Sequence, residues 1–265
     1  MLSDERRQEM VAFICRMGKA DIAELASRFG VSEETVRRDL GMLAQEKKVR
    51  RVHGGAIAIR QALHDGSYAE RLERNKPEKR RIGACAARLL SDNDVIFIDA
   101  GTVPEAFAAE IRHVSNLRVI TASIPVANIL ARKIACGDFT GQIHLPGGAL
   151  NPATLTIDGE FTLKELRNYR ADKAFLSVTA ISEAGIMSEE SGDGLRTRVC
   201  MEQAREAIVL AESRKLGKES FFRVAPLLGI ASIVTDTEPD PALRTAFAGA
   251  GIRLTIAPQI PEDVR

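Results

Sequence analysis

Residues 21–56 read DIAELASRFGVSEETVRRDLGMLAQEKKVRRVHGGA, and the architecture of the N-terminal part of the chain follows from them. Asp21 is placed to cap a helix, IAELASRF, with Ile22, Leu25, Ala26 and Phe29 on one face and Gly30 as its stop. Ser32 is placed to cap a second, EETVRRDLGMLAQE, in which Val36, Leu40 and Leu43 recur at i, i+4 and i+7. Only Gly30, Val31 and Ser32 separate them, the tight turn of a helix-turn-helix. KKVRRVHGGAIAI follows, two β-branched stretches around His53-Gly54-Gly55 that predict a β-hairpin, or wing. Upstream, SDERRQEMVAFICRMG aligns Met10, Phe13, Ile14 and Met17 on one stripe, with Gly18 able to end it.

The charge distribution points the same way. With 37 basic and 36 acidic side chains the whole chain is nearly neutral, which argues against bulk polyanion binding. Residues 1–60, however, carry twelve Lys/Arg against nine Asp/Glu, and 47–60 hold five basic residues (Lys47, Lys48, Arg50, Arg51, Arg60) and no acidic one. A local basic patch on a neutral protein points to a small DNA-binding module attached to something else. With Val36, Leu40 and Leu43 inward, Arg37 and Arg38 lie on the exposed side of the helix, where Arg can bond a guanine edge bidentately. Ser32 and Thr35 can hold phosphate at the helix start, while Arg50, Arg51 and His53 of the wing reach backbone or minor groove.

The chain's 265 residues suit one large or two ordinary domains. At 45% apolar and 28% charged, disorder, collagen-like repeats and a coiled-coil rod are excluded. No apolar run approaches the ~18 residues of a membrane span, and MLSDERRQEM is too charged for a signal peptide. Cys15, Cys85, Cys136 and Cys200 form no CxxC pair and read as reduced thiols in a cytoplasmic protein. The four histidines are as scattered, so neither a metal site nor a cofactor is expected. No P-loop, GxSxG or HExxH occurs.

The expected organisation is a DNA-binding domain over 1–60, a linker with a lead-in helix over 61–76, and an α/β domain over 77–265. From Pro77 onward, short apolar strands (94–99, 117–121, 142–146, 173–179, 206–211, 230–235 and 252–256) alternate with amphipathic segments. That pattern predicts a mostly parallel open sheet covered on both faces, with ligands received in the loops after the strands' C-terminal ends. In FIDAGTVPEAF, Asp99 ends a strand, Gly101 lets backbone approach a ligand, and Thr102 can cap the helix. ITASIPVANIL repeats the design with Thr121 and Ser123, LPGGALNP offers Gly147-Gly148, and LAESRKLG offers Lys215. Four such loops at one sheet edge favour a polyhydroxy or phosphorylated ligand.

These residues resemble a known family. VSEETVRRDL followed by RVHGGA is highly specific to the DeoR family of bacterial transcriptional regulators, and EKRRIGACAARLL, IFIDAGT, ITAS, PGG, DKAFLSV and SRKLG resemble its C-terminal domain. The resemblance implies operator binding by a winged helix-turn-helix, with Ser32, Thr35, Arg37 and Arg38 on the recognition helix and Arg51, His53, Gly54 and Gly55 on the wing. It also implies a domain related in fold to ribose-phosphate isomerases and CoA transferases, which binds a sugar phosphate or related metabolite and so changes operator affinity. Lys79, Asp99, Gly101, Thr102, Thr121, Ser123, Gly147, Gly148, Arg198 and Lys215 are then the effector-site residues. The chain departs from the family's usual GTT and TNS at Val103 and Ala122, and Arg198 stands where a Lys is common.

The expectation is therefore a homo-oligomeric, effector-responsive regulator, a repressor of a sugar-metabolism operon, with double-stranded operator DNA and a small metabolite as partners and no catalytic residues. The alternative is an isomerase- or transferase-type enzyme carrying a DNA-binding head, drawing acid and base from Asp99, Glu189, Glu190, Asp193 or Glu212. A constitutive DNA-binding protein with a vestigial pocket is a third reading.

Overall fold

The computed structural model describes residues 3–17, 19–46, 48–52, 54–58 and 67–259. His53, Gly18, Lys47, Arg60 and the proposed linker residues 61–66 lie outside the described residues, as do the side chains of Cys15, Met17 and Arg50. Two compact units divide the chain, Met1–Ala62 and Leu63–Arg265.

The first unit runs α1 (Ser3–Met17), β1 (Lys19–Asp21), α2 (Ile22–Phe29), α3 (Glu33–Gln45), β2 (Val49–Val52) and β3 (Gly55–Ala58). Both expected caps form. Asp21 accepts from the Glu24 amide at 2.7 Å and Ser32 from the Thr35 amide at 3.2 Å, relieving the unpaired N–H groups of each first turn. Gly30 ends α2 in the left-handed region at φ 63°. Met10, Phe13, Ile14, Leu25, Val36, Leu40, Leu43, Val49 and Ala56 make the core, with Ile22, Ala26 and Phe29 packed on it. The wing carries one strand more than the sequence suggested. Lys19–Asp21 pairs antiparallel with β3, giving the order β1-β3-β2, and Gly55 is fixed by this pairing because a Cβ there would stand 2.3 Å from the Ala20 carbonyl oxygen.

The second unit opens with α4 (Tyr68–Glu73) and α5 (Lys76–Ala87), then β4 (Val95–Ile98), α6 (Thr102–Glu110), β5 (Leu117–Ile120), α7 (Ile124–Ala135), β6 (Gly141–His144), β7 (Ala149–Asn151), β8 (Thr156–Asp158) and α8 (Glu160–Leu166). It continues through β9 (Ala171–Ser177), β10 (Ala180–Ser182), β11 (Gly185–Ser188), α9 (Ser191–Glu202), β12 (Ala204–Leu210), a single 3₁₀ turn (Ser213–Lys215), β13 (Phe222–Ala225), β14 (Ile230–Thr235), α10 (Pro241–Gly249) and β15 (Arg253–Ile256). Among the described residues, the seven strands expected from the sequence form one parallel sheet, ordered β15-β14-β12-β9-β4-β5-β6.

Side chains alternate across this sheet, and both faces are apolar. Ile96, Ile98, Phe175, Ile208, Leu210 and Val234 face α5, α6 and α7, where Ile82, Phe107, Val126 and Leu130 are buried. Phe97, Ala174, Leu176, Val209 and Ile233 face the other way, toward Leu166, Val199, Cys200, Leu243 and Phe247 of α8, α9 and α10. Burial on both sides is why the strands read as unbroken apolar runs. The chain leaves β4 toward β5 and β6, then returns on the other side of β4 as β9, β12, β14 and β15. The order therefore reverses between β4 and β9, and the carboxyl ends of those two strands are where such a sheet opens a crevice.

Candidate functional site

The exposed face of α3 and the wing form the first candidate surface. Ser32 and Thr35 sit together at the start of α3 with their hydroxyls 2.9 Å apart. Arg37 and Arg38 are exposed, and Arg37 pairs with Glu33 at 2.7 Å and Glu34 at 3.4 Å. Solvent-exposed pairs of this kind hold little energy, so a phosphate or base edge can displace them. Arg6 and the buried Asp39, 2.8 Å apart, tie α1 to the opposite face of α3 and keep its register. On the wing, Arg51 is exposed on β2 and Gly54 makes the turn at φ 82°.

The second candidate site is a polar pocket at the β4/β9 switch point. Asp99, Ala100 and Gly101 enter it from the end of β4, and Ser177, Val178 and Thr179 from the end of β9. Thr154 and Thr156 of the β7–β8 hairpin, Ser188, Asp193, Arg196 and Thr197 near or on α9, and Lys215 complete the wall with Tyr68 and Arg71 of α4. Gly101 carries φ 139°, and a Cβ there would come within 2.6 Å of the Ser177 hydroxyl, so only glycine closes this corner.

Asp99 organises the pocket. Its carboxylate accepts from the Ala100 amide at 2.8 Å, the Ser177 amide at 3.2 Å and the Thr197 hydroxyl at 2.6 Å, with Arg196 Nε 3.7 Å away. Burial pushes the Asp99 carboxyl up from its ordinary value, opposed by the Arg196 charge and those three donors. Arg196, 4% exposed, also pairs with Asp158 and, at 2.8 Å, with Asp193. Burial works against the guanidinium charge, but Asp99, Asp193 and Asp158 outweigh it and hold the group protonated.

Of the residues expected to line this site, Asp99, Gly101 and Lys215 do so, with Lys215 donating to the Val178 carbonyl at 2.7 Å. The others make local contacts outside that lining. Thr102 is the first residue of α6 rather than its cap, which is Gly101 and has no side chain to offer; the Thr102 hydroxyl instead accepts from Lys79 at 3.4 Å. The buried Lys79 ammonium also donates to the carbonyls of Arg71 and, at 3.1 Å, Leu72, so it anchors α4. Thr121 and Ser123 serve the start of α7, Ser123 accepting from the Val126 amide at 3.3 Å and Thr121 from the Ser123 amide at 3.1 Å. Gly147 and Gly148 turn onto α8, where the Gly147 amide donates to Glu165 at 2.7 Å and its carbonyl accepts from Thr162 at 2.8 Å. Arg198 faces away, donating at 2.7 Å to the carbonyls of Arg223 and Val224.

Arg196, Thr197, Tyr68 and Arg71 escaped the sequence reading. A signal for Arg196 existed. Val199 and Cys200 are the core-facing pair of α9, and the position three and four residues before them is 196, whereas 198 falls on another face.

Among the described residues, no group of three or more His, Cys, Asp or Glu could hold a metal ion, and no helix is long and apolar enough to cross a membrane. The family model for the DeoR-like helix-turn-helix domain matches residues 6–62, and that for the DeoR C terminal sensor domain matches residues 74–237. The chain is similar to the HTH-type transcriptional repressor GlcR of Bacillus subtilis (strain 168), with 33% identity over 98% of each chain. It is 30% identical to the glycerol-3-phosphate regulon repressor of Escherichia coli (strain K12), over 97% of this chain and 100% of that one. It is also 30% identical to the lactose phosphotransferase system repressor of Streptococcus mutans serotype c (strain ATCC 700610 / UA159), over 92% and 96%. A helix-turn-helix with an exposed arginine pair, joined in one chain to a sensor domain whose polar pocket opens at the switch point of its sheet, makes this chain a member of the DeoR family of transcriptional regulators.

Proposed function

We propose that the protein represses a sugar-metabolism operon and that a phosphorylated sugar in the β4/β9 pocket lowers its affinity for operator DNA. The pocket carries the reading: it gathers three cations, Arg71, Arg196 and Lys215, around strand ends and the first turn of α6, whose free N–H groups favour an anion. Its threonine, serine and aspartate side chains suit sugar hydroxyls. The names of the relatives, which include repressors of a glycerol-3-phosphate regulon and of a lactose phosphotransferase system, agree with that ligand class. Regulation follows by linkage, because a ligand that prefers the conformation with low DNA affinity depletes the one that binds. Thermal shift over a panel of sugar phosphates tests the pocket, since a specific binder raises stability by mass action. A panel without a single stabilising sugar phosphate would contradict the reading.

In the same reading, Ser32 and Thr35 hold backbone phosphate, Arg37 and Arg38 read base edges, and Arg51, His53 and the Gly54-Gly55 turn bring the wing against DNA, with Arg50 beside it. A single α3 reads too few base pairs for useful specificity, so the protein acts as a homo-oligomer on repeated half-sites. Replacing Arg37 or Arg38 by alanine is expected to cost ~1–3 kcal/mol of operator affinity and to relax preference at one base position. Binding curves on selected and point-mutated DNA check this. An unchanged affinity in both variants would remove the pair from the recognition surface.

A further inference from the structure

One wall of the pocket is a short helix that the rest of the unit holds through polar contacts. α4 spans Tyr68–Glu73 and buries none of its side chains completely. It is kept helical by a local device, a capping box in which Ser67 accepts from the Glu70 amide and Glu70 accepts from the Ser67 amide. Its anchors are polar. The Tyr68 hydroxyl donates to Glu105 at 2.8 Å, Lys79 donates to the carbonyls of Arg71 and Leu72, and Asn75, just beyond, donates to Glu212 at 2.9 Å. Yet Tyr68 and Arg71 both face the pocket.

The pocket's three cations are not equally available. Arg196 is committed to Asp158, Asp193 and Asp99, and Lys215 is bonded to the Val178 carbonyl. Arg71 Nε is buried and has no hydrogen-bond partner; Arg196 Nε is buried without one as well, but its other two nitrogens already pair with Asp158 and Asp193. A buried guanidinium N–H left unsatisfied costs free energy that an incoming acceptor recovers. The open Arg71 N–H is incomplete as it stands and is completed by an acceptor, such as an anionic group, placed beside it in the pocket.

We propose that Arg71 is the residue that grips the anionic group of the effector, and that α4 is the element whose ordering reports pocket occupancy. The proposal rests on the reading of the β4/β9 pocket as the effector site. An anion there bonds the open Arg71 valence in a charge-assisted contact, so it adds to the polar anchors a further tie between α4 and the strand ends. Among the described residues, α4 is also the first element of the second unit in chain order.

Amide hydrogen exchange on the full chain tests this, with inorganic phosphate, glycerol 3-phosphate and glucose 6-phosphate as separate probes on wild type, Arg71→Ala and Arg71→Lys. In wild type, the α4 amides are expected to gain protection together with those at the ends of β4 and β9. Arg71→Ala should weaken the best probe about ten- to a hundredfold and abolish α4 protection, while Arg71→Lys restores part of both. Protection at residues 99–102 and 177–179 with α4 exchange unchanged, or an Arg71→Ala affinity equal to wild type, overturns the role of Arg71 and leaves the pocket reading standing. Failure of every probe to protect either region overturns both. The wild-type comparison decides the matter even if a variant folds poorly.

Discussion

Arg196→Met is expected to cost the second unit about 3–5 kcal/mol at neutral pH, because it strands a buried carboxylate whose counter-charge it removes. Arg196 is nearly inaccessible and touches Asp99, Asp158 and Asp193, of which Asp99 is the most deeply buried. Methionine fills much of the volume, so the loss is electrostatic rather than a cavity. The pH dependence identifies the cause. Burial already raises the Asp99 carboxyl above its unfolded value, and Arg196 is the principal group opposing that rise. Without the arginine the folded value climbs further, so the native state takes up a proton that the unfolded chain does not yet hold. Stability of the variant relative to wild type must then improve as pH falls from about 7 toward about 5. Urea unfolding followed by circular dichroism at both pH values measures the difference. A deficit below 1 kcal/mol at neutral pH, or one that widens in acid, contradicts the assignment.

Leu40→Ala should empty the first unit of most of its stability. Leu40 is fully buried among Ile14, Leu25, Val36 and Leu43, and truncating such a side chain costs about 2–5 kcal/mol through lost burial and a residual cavity. A unit of this size seldom holds more than about 3–5 kcal/mol in all. DNA binding is therefore expected to fall by well over tenfold, with a loss of helical signal that does not come from the sheet unit. DNA titration with far-ultraviolet circular dichroism checks this. Near-wild-type affinity would mean that the core of the first unit is not the one described.

Much of this was legible in the sequence, for definite reasons. Asp21, Gly30 and Ser32 announce the two helices and their turn because caps and left-handed stops are local chemistry, and each forms as read. The seven parallel strands were visible because both of their faces are buried, leaving apolar runs that nothing polar interrupts. The short antiparallel strands were not. β1, β7, β8, β10, β11 and β13 span three or four residues, and β7 is largely exposed, so neither alternation nor a run marks them.

The pocket was half legible. Asp99, Gly101 and Lys215 lie in the loops that follow the carboxyl ends of β4 and β12 in the central sheet, where ligand sites of such sheets gather. Thr121, Ser123 and Gly147-Gly148 have the same chemistry but spend it on a helix start and a turn, a difference decided by tertiary geometry. Arg71 and Tyr68 lie in a polar stretch whose place at the pocket depends on Lys79, eight residues beyond Arg71, and on Glu105, thirty-seven beyond Tyr68, neither of which the local sequence points to.

The central claim is that occupancy of the pocket around Asp99 controls DNA affinity. Its most direct test is fluorescence anisotropy on a DNA fragment selected for tight binding to the wild-type protein, titrated with the best sugar phosphate from the thermal-shift panel, for wild type and Asp99→Asn. The account predicts that the ligand weakens DNA binding by wild type, whereas Asp99→Asn binds the fragment but needs about ten- to a hundredfold more ligand to release it. Release at the same ligand concentration in both proteins would contradict it.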